Sequence, residues 1–550
     1  MPTKSRPRHA AAVALSLMTM VASAARGDDR GLIGHWKLAG DAKDSSGQGN
    51  DGQNHGVDLN APGRNGTPGG AARFDGISAF VEVPANKSLA LGTGDFTLAV
   101  WAQTTRELDD VVGDLVSKFD PASRHGFNWC IKDGYGSVGS QANFRNIQFG
   151  IDSGTEPKWT DCGRPGNAVY VMALAVYDGQ LFAGTCESGQ DQMGHVYRYA
   201  GGTRWIDCGS PDHSNAVTAL AVHEGQLYAG TGCYRLRGSL LPDSPNTTLG
   251  GNIFRYDGDG QWTDSGHLEG AEGVGGLCVF RGQLYASSMY HPSQYRFGGG
   301  QEWVPVATGL WIYALGVFNH ELFGTCWNGC RVFRFDGQNW SEPAILETAG
   351  QTYSFDVHAG ALYCGTWKNG HVYYTQDGKT WSDSGRLGNE MEVMGMAVYN
   401  GMLYAGTLPL AQVHRYDGDA GWTATGTLDT SDVRYRRAWS MALYQGQLFC
   451  GVLPSGHVHA LTAGAAVSND HELAPGWKHL AAVRQGDRLR LYVDGQPVAE
   501  SIISNPAALD LTNEQPLRIG FGGNDYFCGS LSDLRLYGRA LSQDEIAKLQ

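Results

Sequence analysis

One motif recurs seven times between Trp159 and Gly464, and it dictates how the middle of the chain can fold. A Leu-aromatic pair stands at Leu181/Phe182, Leu227/Tyr228, Leu284/Tyr285, Leu322/Phe323, Leu362/Tyr363, Leu403/Tyr404 and Leu448/Phe449, with successive copies 38 to 57 residues apart. Repeats of about 40–50 residues are characteristic of propeller blades. Around Asp178-Gly179, Leu174 and Val176 on one side and Leu181 and Ala183 on the other alternate with their neighbours, which predicts a hairpin with a two-residue turn. The turn glycine returns as Gly225, Gly282, Gly360, Gly401 and Gly446. The fourth copy instead has Asn319-His320, residue types that enter the left-handed region more readily than most. A third strand follows (Val196-Tyr-Arg-Tyr, Ile253-Phe-Arg-Tyr, Val332-Phe-Arg-Phe, Val413-His-Arg-Tyr), then a fourth that holds a Trp. Four short antiparallel strands make one blade.

The tryptophans predict how the ring closes. They stand at Trp159, Trp205, Trp262, Trp303, Trp340, Trp381 and Trp422, so one precedes the first hairpin and none follows the last. The segment around Trp159 is therefore expected to be the outer strand of the seventh blade, sealing the ring without leaving an open sheet edge.

The first 24 residues carry Lys4, Arg6 and Arg8, an apolar run from Ala10 to Ala22, and Ala22-Ser23-Ala24, the layout of a secretory signal peptide. The run is too short for a membrane-spanning helix, and no other long apolar segment follows, so no transmembrane segment is expected. The abundance of glycine (78 residues) and an aromatic content of 11% suit a large β protein. A net charge of −14 argues against nucleic acid or an anionic membrane as partner. Eleven cysteines fit an oxidising compartment. Cys278, Cys364 and Cys450 replace small residues of other copies and read as buried thiols, whereas Cys326 with Cys330, and Cys162 with Cys208, are the expected disulfide partners.

Residues 31–155 and 465–550 differ in style from the repeats, and neither looks complete alone. The first holds Trp36-Lys-Leu, Asp44-Ser-Ser-Gly, Phe74-Asp-Gly and Phe96-Thr-Leu-Ala-Val-Trp; the second holds Trp477-Lys-His-Leu, Leu491-Tyr-Val-Asp-Gly and Leu534-Arg-Leu-Tyr-Gly-Arg-Ala-Leu-Ser. This series resembles the LamG-like jellyroll of the concanavalin A-like lectin/glucanase superfamily, in the same order but cut open by roughly 310 residues. The expected architecture is all-β: signal peptide 1–24, jellyroll 31–155, a seven-bladed propeller inserted at 156–464, and the rest of the jellyroll at 465–550. An insertion is tolerated where the guest's ends lie together, which a closed ring provides.

The resemblance implies that Asp44, Asn50 and Asp533 lie near each other and could hold one structural Ca2+, an ion that takes oxygen ligands. The other reading of Asp44 and Asn50 is turn stabilisation. No Glu-x-Asp-x-x-Glu signature of the superfamily's glucanases is present: the acids of Leu108-Asp-Asp and Asp470-His-Glu lack that spacing. On the propeller, function is expected on the face carrying the loops that lead into strand one and join strands two and three. The candidate ligand-binding residues there are Tyr170, Trp311, Tyr353, Glu392 and Trp439, with His291, Trp327 and Trp367, aromatics that can stack on sugar rings. Each has blade packing as its alternative. The loop from Gly232 to Gly250, with Arg235 and Arg237, reads as a lid or wall. Thr375-Gln-Asp-Gly-Lys-Thr-Trp381 resembles the Asp-box turn of sialidase-type propellers, one residue short, but Arg434, Arg436 and Arg437 are sequential where a sialidase distributes its arginines. The sequence thus points to a secreted recognition protein for glycans or extracellular proteins, more binder than enzyme. A polysaccharide hydrolase or lyase and a cell-envelope scaffold are the alternatives.

Overall fold

The computed structural model describes Met1 and residues 30–134, 138–346 and 350–550. The signal peptide expected over 1–24 lies, apart from Met1, outside the described residues. The fold is all-β, a jellyroll sandwich into which a β-propeller is inserted. No helix among the described residues is long and apolar enough to cross a membrane.

The jellyroll is two stacked antiparallel sheets. One has Phe96–Thr104 at its centre, flanked by Cys528–Tyr537 and Gly476–Gln485; the other runs from Gln53–His55 through Gly113–Asp120 and His125–Gly134 to Asn143–Ser153 and Ala465–Asn469. Alternation along these strands turns Phe96, Leu98, Val100, Phe127, Trp129, Phe149, Leu480 and Leu531 inward as one continuous core. The break in the sequence falls at the edge of the second sheet. Ile151 pairs with Ala465 and Ile147 with Asn469, so the strand before the insertion and the strand after it are direct neighbours. Just beyond, Lys158 pairs with Thr462 and Asp161 with His459. The two crossings therefore run side by side as a paired neck. Asn400, in a propeller turn, clamps it by donating from Nδ2 to the carbonyls of Ile151 (3.2 Å) and Ala463 (2.8 Å).

Among the described residues the propeller contains seven antiparallel four-strand units. The first is Tyr170–Tyr177, Gln180–Cys186, Val196–Tyr199 and Trp205–Asp207. The last is Arg437–Tyr444, Gln447–Leu453 and Val458–Thr462, completed by Lys158–Asp161 from the other end of the repeat region. Five of the seven repeated tryptophans stitch their unit to the one before. Trp205 Nε1 donates to the Cys162 carbonyl (3.0 Å), Trp262 to that of Cys208 (2.9 Å) and Trp303 to that of Ser265 (2.9 Å). Trp422 reaches Ser384 Oγ and Trp159 reaches Thr425 Oγ1, so the ring-closing strand makes the same link as the others. This arrangement corrects the disulfide expectation, since all eleven cysteines are free. Cys162 and Cys208 are equivalent residues in successive units and lie in different seams, and Cys326 Sγ instead accepts from the Asn328 N–H at 3.3 Å.

The seven strand-one/strand-two hairpins share one backbone solution. Asp178, Glu224, Arg281, Asn319, Ala359, Asn400 and Gln445 all have φ between 47° and 50°, and the next residue is also left-handed, the type I′ turn that matches strand twist. Six of these turns dock on the jellyroll. Gly179 N–H donates to Asp470 O, Arg281 N–H to Leu108 O, Asn319 N–H to Asp110, Ala359 N–H to Gly523 O and Gly446 N–H to Ser468 Oγ, while Gly401 lies against Asn128.

Between the turns, jellyroll residues 139–143 enter the propeller's central channel and bond to its innermost strands. The carbonyls of Gly139 and Ala142 accept from Leu277 and Val176, Ser140 Oγ from Leu220 N, and Gln141 Oε1 from Val279 N. Asn143 bonds both backbone groups of Leu443, at 2.8 and 2.9 Å. Beside this plug, Lys132 pairs with Asp356 at 3.5 Å, both nearly solvent-free. Burial raises the Asp110, Asp356 and Asp525 carboxyls and pushes Asp114 up to about 6.

Two outcomes follow from this seam. Asn143→Ala strands the buried N–H and C=O of Leu443 and is expected to cost about 2–4 kcal/mol in urea unfolding; a loss under ~0.5 kcal/mol would show that the plug is not bonded as described. Asp114 has a folded-state pKa above its unfolded value, so the stability it contributes is present at low pH and lost as pH rises through about 6. Asp114→Asn removes that dependence. Its stability relative to wild type should therefore improve by about 1.4 kcal/mol from pH 5 to pH 8, read from paired denaturation curves.

Candidate functional site

With the hairpin face covered by the jellyroll, the opposite face carries the loops expected to hold function. Its centre is built by the first residues of the innermost strands. Tyr170 pairs with Cys186, Ala216 with Gly232, Gly273 with Met289, Glu392 with Leu408 and Arg437 with Leu453. These residues share one register and point to one place, the upper end of the channel. Each of these strands also carries a β-bulge just past that point, between Val171 and Ala173 in the first unit and between Ala438 and Ser440 in the last. Bulges re-aim side chains at such rims.

The result is a closed polar chamber. Glu392 Oε2 lies 3.4 Å from Arg437 Nη2, both nearly buried (2% and 8% side-chain exposure). Tyr170, Tyr234, Tyr313 and Tyr353 surround them. Tyr170 packs edge-on against Trp439 (5.1 Å between centroids, 70°) and against Tyr234 (5.6 Å, 71°). Tyr313 packs on Trp327 at 4.3 Å and on Tyr353 at 6.1 Å. Trp439 Nε1 donates to the Met172 carbonyl at 3.0 Å. The loop 233–250 closes the chamber: its short 3-10 turn Leu236–Ser239 buries Leu236 and aims Ser239 Oγ at Arg437 Nη1. Arg235 lies over the Tyr290 ring at 4.3 Å and pairs with Glu272, and Arg237 pairs with Asp243.

Electrostatically the chamber holds one ion pair among neutral phenols. Burial raises the Glu392 carboxyl, opposed by Arg437. For Arg437, burial alone would lower the guanidinium, but attraction to Glu392 outweighs it and the group is held above its ordinary value. Burial carries Tyr170, Tyr313 and Tyr353 well above their ordinary values, so all three are protonated at neutral pH. Among the described residues, Tyr170 Oη, Glu392 Oε2 and Arg437 Nε have no hydrogen-bond partner.

The sequence candidates divide into two layers. Tyr170, Glu392 and Trp439 are buried in the chamber, with Tyr353 at its wall. Trp311, 38% exposed, Trp327 and Trp367 stand around the rim, and His291 packs beside Gly270. Arg437, Tyr234, Tyr313 and Ser239 belong to the chamber and were not among the candidates. The repeated arginines form outer-surface ion pairs instead, Arg255 with Asp257, Arg334 with Glu321 and Arg415 with Asp417. In the Asp-box-like turn, Asp377 accepts from the Lys379 and Thr380 N–H groups, a folding role.

On the jellyroll, Asp44, Asn50 and Asp533 all take part in hydrogen bonds or ion pairs. Asp44 accepts from the N–H groups of His35, Ser46 and Asn50. Asn50 Oδ1 accepts from Ser88, and its Nδ2 donates to the Ile33 carbonyl. Asp533 pairs with His35 at 2.6 Å and with Arg535 at 3.1 Å. Each group is engaged by its own turn or ion pair.

Removing one member of the buried ion pair leaves the other uncompensated. Arg437→Met is expected to lose about 3–5 kcal/mol, and combining it with Glu392→Gln should recover most of that loss in urea unfolding; equal losses for the single and double variants would mean that the two groups are not coupled.

A family model described as the concanavalin A-like lectin/glucanases superfamily matches residues 421–547. Among solved structures, the chain is similar to a catalytically inactive variant of virginiamycin B lyase from Staphylococcus aureus with quinupristin, at 11% identity over 56% of this chain and 99% of that one, with a TM-score of 0.44. It is also similar to the WD40 β-propeller domain of Doa1, at 10% identity over 56% of this chain and 97% of that one (TM-score 0.41). A third similar structure is the extracellular domain of a hybrid two-component system from B. thetaiotaomicron, at 12% identity over 64% and 59% of the two chains (TM-score 0.40). No curated protein matches the chain.

Proposed function

We propose that this protein is an exported, non-catalytic recognition protein that binds carbohydrate on the free face of its propeller, organised as leader 1–24, jellyroll 31–155 and 465–550, and propeller 156–464. Export is supported by the basic, apolar and small-residue pattern of the first 24 residues. The observation that carries the binding reading is the division of the face into two layers. Indoles are presented at the rim, Trp311 most openly, while the central carboxylate Glu392 is held in an ion pair beneath a closed loop. Sugar rings stack on exposed indoles with little loss of side-chain entropy. Glycoside hydrolysis instead requires two carboxylates flanking an accessible bond, and Glu392 faces an arginine.

The buried Tyr170 hydroxyl, without a hydrogen-bond partner among the described residues, and the raised Glu392 carboxyl favour a second reading, a polysaccharide hydrolase or lyase whose loop 233–250 opens to admit substrate. A protein-binding scaffold in the cell envelope is a third, to which the exposed Leu240 and Leu249 of that loop are suited.

Screening the full chain on a glycan array, with assays of the same polysaccharides for new reducing ends or unsaturated products, separates the three. The expected outcome is binding without product. Trp311→Ala, a surface change, should then weaken the selected glycan about 5–10-fold, in line with the value of one aromatic contact, and leave the melting temperature unchanged. Product formation abolished by Glu392→Gln would establish the enzyme reading, and no glycan binding at all would leave the scaffold.

A further inference from the structure

The fourth hairpin turn departs from the other six. Where they carry glycine it carries His320, held at φ 64°, a conformation unfavourable for any residue with a Cβ. The consequence is that an imidazole crosses the seam into the jellyroll. Its Nδ1 lies 2.8 Å from Asp109 Oδ1 and 3.9 Å from Asp110 Oδ2. Single donor atoms of Asp109, His320 and Cys528 all lie within 4.8 Å of one another. The far nitrogen, Nε2, is 3.0 Å from the Asp75 carbonyl. If Nε2–H donates there, the Nδ1 lone pair faces the cluster, as in a metal-bound imidazole supported from its outer side.

Asp110 points to the same place independently. Its side chain is fully buried. Oδ1 accepts from Val111 N (3.0 Å) and, across the seam, from Asn319 N (3.1 Å), which fixes the carboxylate plane. Among the described residues Oδ2 has no hydrogen-bond partner, an expensive state for a buried carboxylate. Beside it Gly76 leaves room: a Cβ there would stand 3.0 Å from Asp110 Oδ2 and 3.4 Å from Cys528 Sγ. The second oxygen of Asp109 faces Arg281 Nε at 4.0 Å, while the first is the one that meets His320 Nδ1.

We propose that Asp109, Asp110, His320 and Cys528 form a tetrahedral Zn2+ site that rivets the fourth propeller hairpin to the jellyroll. One imidazole, one thiolate and two carboxylates suit a borderline ion; Ca2+ and Mg2+ prefer all-oxygen shells. Four protein donors make a closed, structural site. Binding releases the Cys528 thiol proton, and any proton on the Asp110 carboxyl or on His320 Nδ1, to solvent. Tetrahedral donors about 2.0–2.3 Å from zinc stand roughly 3.3–3.8 Å apart, so Asp109 Oδ1 and His320 Nδ1, now 2.8 Å apart, separate slightly while the wider gaps of the cluster, up to 4.8 Å, close. Three ligands come from the jellyroll and one from the propeller, so the ion cross-links the two domains.

The test uses the full chain, stripped with a chelator and titrated with Zn2+ by calorimetry, with melting curves before and after; Co2+ serves as the spectroscopic probe. The expected result is one ion per chain, a higher melting temperature, and a thiolate-to-cobalt charge-transfer band that Cys528→Ser abolishes. His320→Gly installs the residue found in the other six turns, so the fold persists. Its metal-free melting temperature should equal or exceed that of wild type, while its zinc affinity falls by more than ~100-fold, beyond the usual effect of an outer-shell change. Wild-type protein that binds no zinc overturns the proposal, and so does a His320→Gly variant that binds it as tightly.

Discussion

The structure depends on satisfying the inner edge of a ring of strands. In the propeller units the first strand pairs along its length with the second only, three of them adding a single bridge to the preceding unit at their first residue, and the other edge looks into the channel, where every N–H and C=O requires a partner. Here part of that requirement is met by another domain. Gly139, Ser140, Gln141, Ala142 and Asn143 supply acceptors and donors to Val176, Leu220, Leu277, Val279 and Leu443. This accounts for a line of fully buried polar residues, Ser140, Gln141, Asn143 and Asn146, in the middle of the molecule. Asp356 does the same from within the ring, taking the Val398 N–H at 3.0 Å while facing Lys132. The propeller is thus completed by its host.

That completion polarises the molecule. The hairpin face is given over to docking, through left-handed turns of which six meet the jellyroll. The loop face is left with the irregular segments, and those are where binding residues collect on a rigid scaffold. The chamber around Glu392 and Arg437 lies on that face, where Tyr170, Tyr313, Trp439 and the covering loop's Leu236 share one buried cluster with Val138 at the start of the plug.

The periodic part of this arrangement was legible in the sequence. The Leu-aromatic pairs, the turn glycines and the tryptophans recur because each does the same job in every unit, and the count of tryptophans placed Trp159 beside Val458–Thr462. The chamber was half legible: Tyr170, Tyr353, Glu392 and Trp439 stood out as unlike their counterparts. Arg437 was hidden among adjacent arginines, although its register with Glu392 would have singled it out. Tyr234 and Ser239 lie on an irregular loop, where no period signals direction. The plug was illegible, since Ser140-Gln-Ala-Asn reads as a polar loop and Gln141 meets Val279 from 138 residues away. Cysteine count misled for a related reason: Cys162 and Cys208 share a position in the repeat, which keeps them one unit apart.

The paired neck also bears on the order in which the chain can assemble. Joining Ile151 to Ala465 in the unfolded chain closes a loop of 314 residues. Once Lys158 has met Thr462 in the closing unit, only about ten residues separate the same two positions along the shortest route. Loop-closure entropy scales with the logarithm of length, so the prior closure makes the later one easier by about 3 kcal/mol. A folded propeller is therefore, to the jellyroll, no longer than an ordinary hairpin turn: the guest acts as an entropic relay that hands the two halves of its host to each other.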